Sequence, residues 1–259
     1  MATHSETVDI LVDDEHIAGT FLSPPPKMPG VLFVHGWGGS QQRDLSRARG
    51  IAGLGCICLS FDLRGHALTR AQQETVTREQ NLNDLLAAYD LLAEHPHIDP
   101  AAIAVVGTSY GGYLAAILSS LRPVKWLGLR VPALYLDEDW SLPKRQLDRE
   151  ALNRLRSSRV RPEENRVLAA CAAFHGDVLI VESEHDSFVP HETIMSYRAA
   201  FQRTHSLTHR IIDGADHALS SERCQEAYTS ILVNWATEMI IGARLGNKTA
   251  AGCEPLIGS

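Results

Sequence analysis

Short apolar runs alternate with helically spaced apolar positions through most of the chain. Residues 31–34, 56–61, 103–106, 126–131, 178–181 and 207–212 form the runs, which are too short for helices and in places continuously apolar. Strands of that kind belong to a sheet covered on both faces. Between them, helical spacing joins Leu45, Ala48, Ile51 and Ala52. The same spacing joins Leu82, Leu85, Leu86, Tyr89 and Leu92, and later Ile194, Tyr197 and Phe201. The alternation predicts an α/β fold, with a mostly parallel central sheet and helices on both faces. Thr77 and Gln80 have capping-box spacing ahead of the second helix. A last helix is expected from about 221 to 241, apolar along Ala227, Ile231, Leu232, Trp235 and Met239.

The N-terminus has another pattern. Val8, Ile10 and Val12 alternate with polar residues, and a second short strand over 17–22 follows Asp13-Asp14-Glu15, which predicts an antiparallel hairpin. Residues 132–176 break the rhythm with Trp140, Pro143 and Pro162, and an excursion of that length reads as a cap or lid rather than a bare loop. The expected organisation is one domain over 1–259, with this short cap insertion and a mobile tail over 243–259.

Composition changes little in this picture. Hydrophobic content of 44% and charged content of 21% are ordinary for a globular protein, and a formal charge of −7 argues against nucleic acid or an anionic membrane as a general partner. The first residues lack a secretory signal, and no apolar run is long enough to span a membrane, so the expected location is cytoplasmic. Five scattered cysteines, an odd number, do not suggest a disulfide framework or a metal site. A homodimer is a possible assembly. Between 144 and 166, eight basic residues stand against four acidic ones. That excess reads either as a solvated lid helix or as an attraction for an anionic acyl donor.

The chemistry centres on Gly107-Thr108-Ser109-Tyr110-Gly111-Gly112, which joins the run 103–106 to a helix-like segment. A serine on a sharp strand-to-helix turn is presented above the sheet as a nucleophile. It needs a base, an acid to orient that base, and donors for the developing oxyanion. After the strand over 178–181 come Glu182, Glu184 and Asp186, of which Asp186 is the best placed acid. After the next strand comes Gly214-Ala215-Asp216-His217; among twelve histidines, His217 alone follows both Ser109 and Asp186 between a strand end and the last helix. Asp216 is an alternative acid. The order Ser109, Asp186, His217 is that of the α/β-hydrolases. The backbone N–H of Tyr110 and that of Trp37, in the glycine-rich loop after the first buried strand, are the expected oxyanion donors. Trp140, Phe188 and Leu219 are candidates to line an acyl pocket. His35 and His66 read as loop-fixing hydrogen bonders, and Arg64 as a tie between loops.

His35-Gly36-Trp37-Gly38-Gly39, Asp62-x-Arg64-Gly65-His66, Gly107-x-Ser109-x-Gly111-Gly112, the Asp186 loop and Gly214-Ala215-Asp216-His217 together resemble the α/β-hydrolase superfamily. Within it the chain is most similar to dienelactone-hydrolase-like and acyl-peptidase-like serine esterases, over roughly 28–242. The resemblance implies hydrolysis of a small-molecule carboxylic ester with no cofactor and no metal. It implies Ser109 as nucleophile, His217 as base and Asp186 as its partner. Peptidase, thioesterase and lactonase activities use the same machinery, and a low-turnover ligand receptor on this fold is the alternative from another class. Two departures stand out. True dienelactone hydrolases carry a cysteine where Ser109 stands, and Ala67 follows His66 where the family often has glycine.

Overall fold

The computed structural model describes residues 4–12, 15–23, 27–138 and 140–250. Strands β1 (His4–Val12) and β2 (Glu15–Ser23) pair antiparallel as a separate two-stranded sheet. The main sheet has six strands: β3 (Met28–Val34), β4 (Ile57–Phe61), β5 (Ile98–Thr108), β6 (Trp126–Arg130), β7 (Asp177–His185) and β8 (Ser206–Asp216). Their order is β4-β3-β5-β6-β7-β8, and every neighbouring pair is parallel.

Side chains alternate between two cores. Leu32, Val34, Ile103, Val105, Leu127, Leu129, Val178 and Ile180 enter one apolar cluster, and their neighbours Val31, Phe33, Ala104, Val106, Trp126, Leu179 and Val181 enter the other. A period of two with both phases apolar is what a doubly covered sheet requires. The first cluster is closed by helices α2 (Arg78–Ala93), α3 (Tyr110–Leu118), α5 (Arg166–Ala172) and α6 (His191–Ala200). The second is closed by α1 (Gln42–Ala52) and α7 (Glu222–Ala250). Among the described residues no helix is long and apolar enough to cross a membrane.

Helix α2 begins with the expected capping box: Thr77 Oγ1 accepts from Gln80 N at 3.1 Å, and Gln80 Oε1 accepts from Thr77 N at 3.0 Å. Arg78, its first residue, is fully buried. It donates to the carbonyls of Leu136 and Glu138, both at 2.6 Å, and so fixes the chain where it leaves β6. Replacing Arg78 with methionine removes two charge-assisted, part-buried hydrogen bonds to these carbonyls, a loss of about 2–4 kcal/mol by urea unfolding. A change below about 1 kcal/mol would show that Arg78 does not hold the segment.

Between β6 and β7 the irregular stretch is partly ordered into α4 (Arg149–Arg156), α5 and two short 3-10 turns. It is tied to the rest of the molecule near Pro143, which bridges Thr77, and by Lys144 N donating to Val76 O at 3.1 Å.

Several boundaries differ from expectation. Strand β7 runs on to His185 and β8 to Asp216, four residues beyond the apolar runs in each case. Polar pairing takes over from apolar burial there: buried Glu182 is met by His191 Nδ1 at 2.7 Å and His209 Nε2 at 3.0 Å. Helix α7 continues past Gly242 to Ala250, so the first part of the expected tail is helical; 251–259 lie outside the described residues.

Candidate active site

The strand order reverses between β3 and β5, and open parallel sheets bind ligands beyond the carboxyl ends of their strands at such a point. The loop after β3 holds Trp37, and the turn after β5 holds Ser109. Ser109 adopts φ 52°, ψ −111°, a strained conformation for a residue with a Cβ. Its backbone over-determines that turn: N donates to Arg130 O at 2.8 Å, and O accepts from Tyr113 N at 3.0 Å and Ala133 N at 3.1 Å. The turn fits because α3 packs directly on the sheet. A Cβ on Gly111 would sit 2.2 Å from Val34 O, and one on Gly107 2.5 Å from Gly111 O.

Ser109, His217 and Asp186, separated by up to 108 residues of chain, meet at one place. His217 Nε2 lies 3.0 Å from Ser109 Oγ, and His217 Nδ1 lies 2.6 Å from Asp186 Oδ2. The Asp186 side chain is 2% exposed, and its Oδ1 accepts from Phe188 N and Val189 N, each at 2.8 Å. A carboxylate so held has only acceptors to offer, so Nδ1 of His217 carries the proton and Nε2 is free to accept from the serine. The competing acids are engaged elsewhere. Glu182 holds the two histidines already described, Glu184 accepts from Gly214 N at 2.6 Å, and Asp216 accepts from Ser220 N at 2.8 Å and Ser220 Oγ at 2.6 Å.

Tyr110 opens α3, so its N–H has no acceptor within the helix. The Trp37 loop is stitched to the loop after β4 by two histidines. His66 Nε2 accepts from Gly38 N at 3.0 Å, and His35 Nε2 accepts from Leu63 N at 3.0 Å. In both rings Nδ1 faces a backbone carbonyl, and burial lowers both pKa values, which favours the neutral tautomer these bonds require. Arg64 ties the same loop to α2 through Asp84 at 2.6 Å. Trp37 is held by its ring, edge-on to His66 and Tyr110, with the Lys144 ammonium 4.2 Å from the ring centroid. Desolvation lowers the pKa of Lys144.

A cavity of about 630 Å³ opens beside Ser109 and His217. Of the three expected pocket residues, only Leu219 lines it. Phe188 stands exposed, 5.2 Å from the His217 ring, and Trp140 lies against Tyr113, between Arg78 and Arg166. Trp140 is drawn away because Arg78 of α2, Tyr113 of α3 and Arg166 of the insertion offer it a packed site where the insertion meets the main body. The basic 144–166 stretch contributes nothing to the wall of this cavity: Arg154 faces Glu150 at 3.8 Å, Arg161 bonds Glu164 at 2.8 Å, and Arg156 donates to Leu134 O at 3.0 Å. The wall carries instead Arg43 and Arg47 of α1 and Arg130 at the end of β6. Arg130 is 5% exposed and donates to His217 O at 2.8 Å. Burial pushes the neighbouring Asp44 carboxyl up to about 6, against the pull of Arg47, Arg130 and Arg43. Sequence patterns did not reveal these groups; the charged i, i+4 pair Arg43 and Arg47 at the start of a predicted helix was the only sign of them.

The profile of the prolyl oligopeptidase family matches residues 46–242, about three quarters of the chain. An uncharacterized protein of Mycobacterium tuberculosis H37Rv is 29% identical over 192 residues, covering 73% of this chain and 63% of the relative. The chain thus spans less than two thirds of the length of the curated relatives it matches. Among solved structures, Est1E of Butyrivibrio proteoclasticus with ferulic acid bound aligns with a TM-score of 0.64 at 17% identity, over 92% of this chain and 96% of its own. Dienelactone hydrolase of Anabaena variabilis aligns with a TM-score of 0.57 at 18% identity, over 90% and 96%. These likenesses place the fold among the α/β-hydrolases.

Proposed function

The chain belongs to the prolyl oligopeptidase family of hydrolases, and from that premise we propose that it cleaves carboxylic esters of small or short-chain acids through an acyl-enzyme. The observation that carries the reading is the unbroken line from Asp186 through His217 to Ser109, at the mouth of a cavity. Ser109 Oγ attacks the ester carbonyl as His217 Nε2 takes its proton. The N–H groups of Trp37 and Tyr110 stabilise the oxyanion of the tetrahedral intermediate. Collapse expels the alcohol, which takes the proton from His217. Water, deprotonated by His217, then attacks the acyl-enzyme, and Ser109 and the acid are released. Asp186 holds the imidazole in the required tautomer and offsets its charge.

A cavity of about 630 Å³ suits a small acyl group. Peptide cleavage is the second reading, favoured by the family match itself. Both predict that a fluorophosphonate adds covalently to the protein and that peptide mapping by mass spectrometry finds the adduct on Ser109. No adduct, or one on another residue, would reject the nucleophile. Turnover of short-chain aryl esters, thioesters and aminoacyl anilides then ranks the activities, with the esters expected first.

A further inference from the structure

We infer that the cavity beside Ser109 binds an oxyanion belonging to the substrate, so that the ester this site takes also carries a carboxylate. The inference rests on the hydrolase reading and adds its substrate class. Arg43, Arg47 and Arg130 share the cavity wall with a single carboxylate, Asp44. With all four groups ionised, the wall carries a net charge of about +2. Solvated surface arginines would need no further explanation, but two of these are not of that kind. The Arg130 residue is 5% exposed and the Arg47 side chain 12%. Their guanidinium groups lie 5.6 Å and 4.8 Å from the centroid of the same ring, Tyr228, which is itself buried. Arg130 also feels the Asp186 carboxylate beside that of Asp44, and two carboxylates against three guanidinium groups leave one positive charge in excess. Like charges held together out of water disfavour the fold unless a further anion completes them.

The donors are also pre-set. Arg130 spends one N–H on His217 O and one on Ser183 Oγ at 3.4 Å, which leaves three of its five. Arg47 is fixed by Asp44 Oδ1 at 3.5 Å and by Arg43 O at 2.9 Å. Forks held in this way on a helix and a strand end suit carboxylate or phosphate recognition, where lysine would act only as a point charge. Their place in the wall that also holds Ser109 and His217 puts the anion on the molecule being cleaved rather than at a remote effector site.

Competition against fluorophosphonate labelling reads occupancy of the cavity whether or not the competitor is cleaved. Monomethyl glutarate should halve the labelling rate at a concentration at least tenfold below that of methyl valerate, its neutral counterpart. The advantage should fall to about one in Arg43→Gln/Arg47→Gln, and by about threefold in Arg43→Gln, whose exposed side chain can change without disturbing the core. Equal competition by the two esters in the wild type would overturn the inference and leave the hydrolase standing. An advantage that survives both variants would overturn it too, by placing recognition elsewhere. A wild-type protein that takes no label removes the nucleophile, and the inference falls with it. Inorganic phosphate as a third competitor distinguishes the sources of the anion: stronger competition than by the hemiester assigns the site to a phosphate and overturns the carboxylate.

Discussion

Ser109→Ala is expected to lower kcat for ester hydrolysis by about 10⁶, with His217→Ala equal to it and the double variant no worse than either. In the proposed mechanism the three side chains act as one unit, so removing one member of the Ser109–His217 pair removes the function of the other. Asp186→Asn is the more telling change, because it preserves shape. The asparagine carbonyl oxygen can keep the two N–H donors of Phe188 and Val189. The amide NH₂ then faces His217 Nδ1, where a carboxylate oxygen now accepts. A donor there forces the proton onto Nε2, where it can no longer accept from Ser109. The expected loss is about 10⁴ in kcat with the protein still folded. Burst titration with an activated aryl ester gives the active-site concentration against which each kcat is measured. An Asp186→Asn enzyme within tenfold of wild type would show that His217 draws its orientation from another group and would reopen the case for Glu182 or Glu184.

The meeting of Ser109, Asp186 and His217 at one place was legible because each follows an apolar strand, and strand ends are local features of the sequence. The same is true of the loop histidines: His35 and His66 stand next to the glycines whose loops they fix. The floor of the site was not legible. Arg130 ends a strand and could have pointed anywhere; its contact with His217 O spans 87 residues and depends on β6 lying beside β7. Arg43 and Arg47 were not among the candidate residues, since no sequence pattern tells which side of α1 meets the last loop. Arg78 is a helix-start residue whose burial follows from the path of a segment some 60 positions away. Trp140 failed for the opposite reason. An aromatic residue in an insertion suggests a pocket, yet Arg78 and Tyr113 of the main body, with Arg166 of the insertion, offered it closer partners. Apolar periodicity reports burial, and it is silent on which polar groups burial brings together.

Gly111→Ala is expected to cost the fold at least about 4 kcal/mol, enough to lower Tm by about 10 °C or more in a chain of this size. The added methyl would stand 2.2 Å from Val34 O and 2.5 Å from His35 O, both backbone atoms at the end of β3, inside the sheet. Neither can yield as a flexible side chain would. Helix α3 must therefore withdraw, carrying with it the N–H of Tyr110 and the turn that presents Ser109. Stability and fluorophosphonate labelling should fall together. Gly38→Ala separates this packing effect from backbone preference. Gly38 has φ +77°, so alanine is strained there, but nothing lies within 4 Å of the new methyl. Its cost should stay near 1–2 kcal/mol, the conformational penalty alone. Equal Tm values for the two variants would mean that the glycines serve only backbone freedom. A Gly111→Ala protein with unchanged Tm and labelling rate would contradict the close approach of α3 to β3, on which the exposure of Ser109 depends.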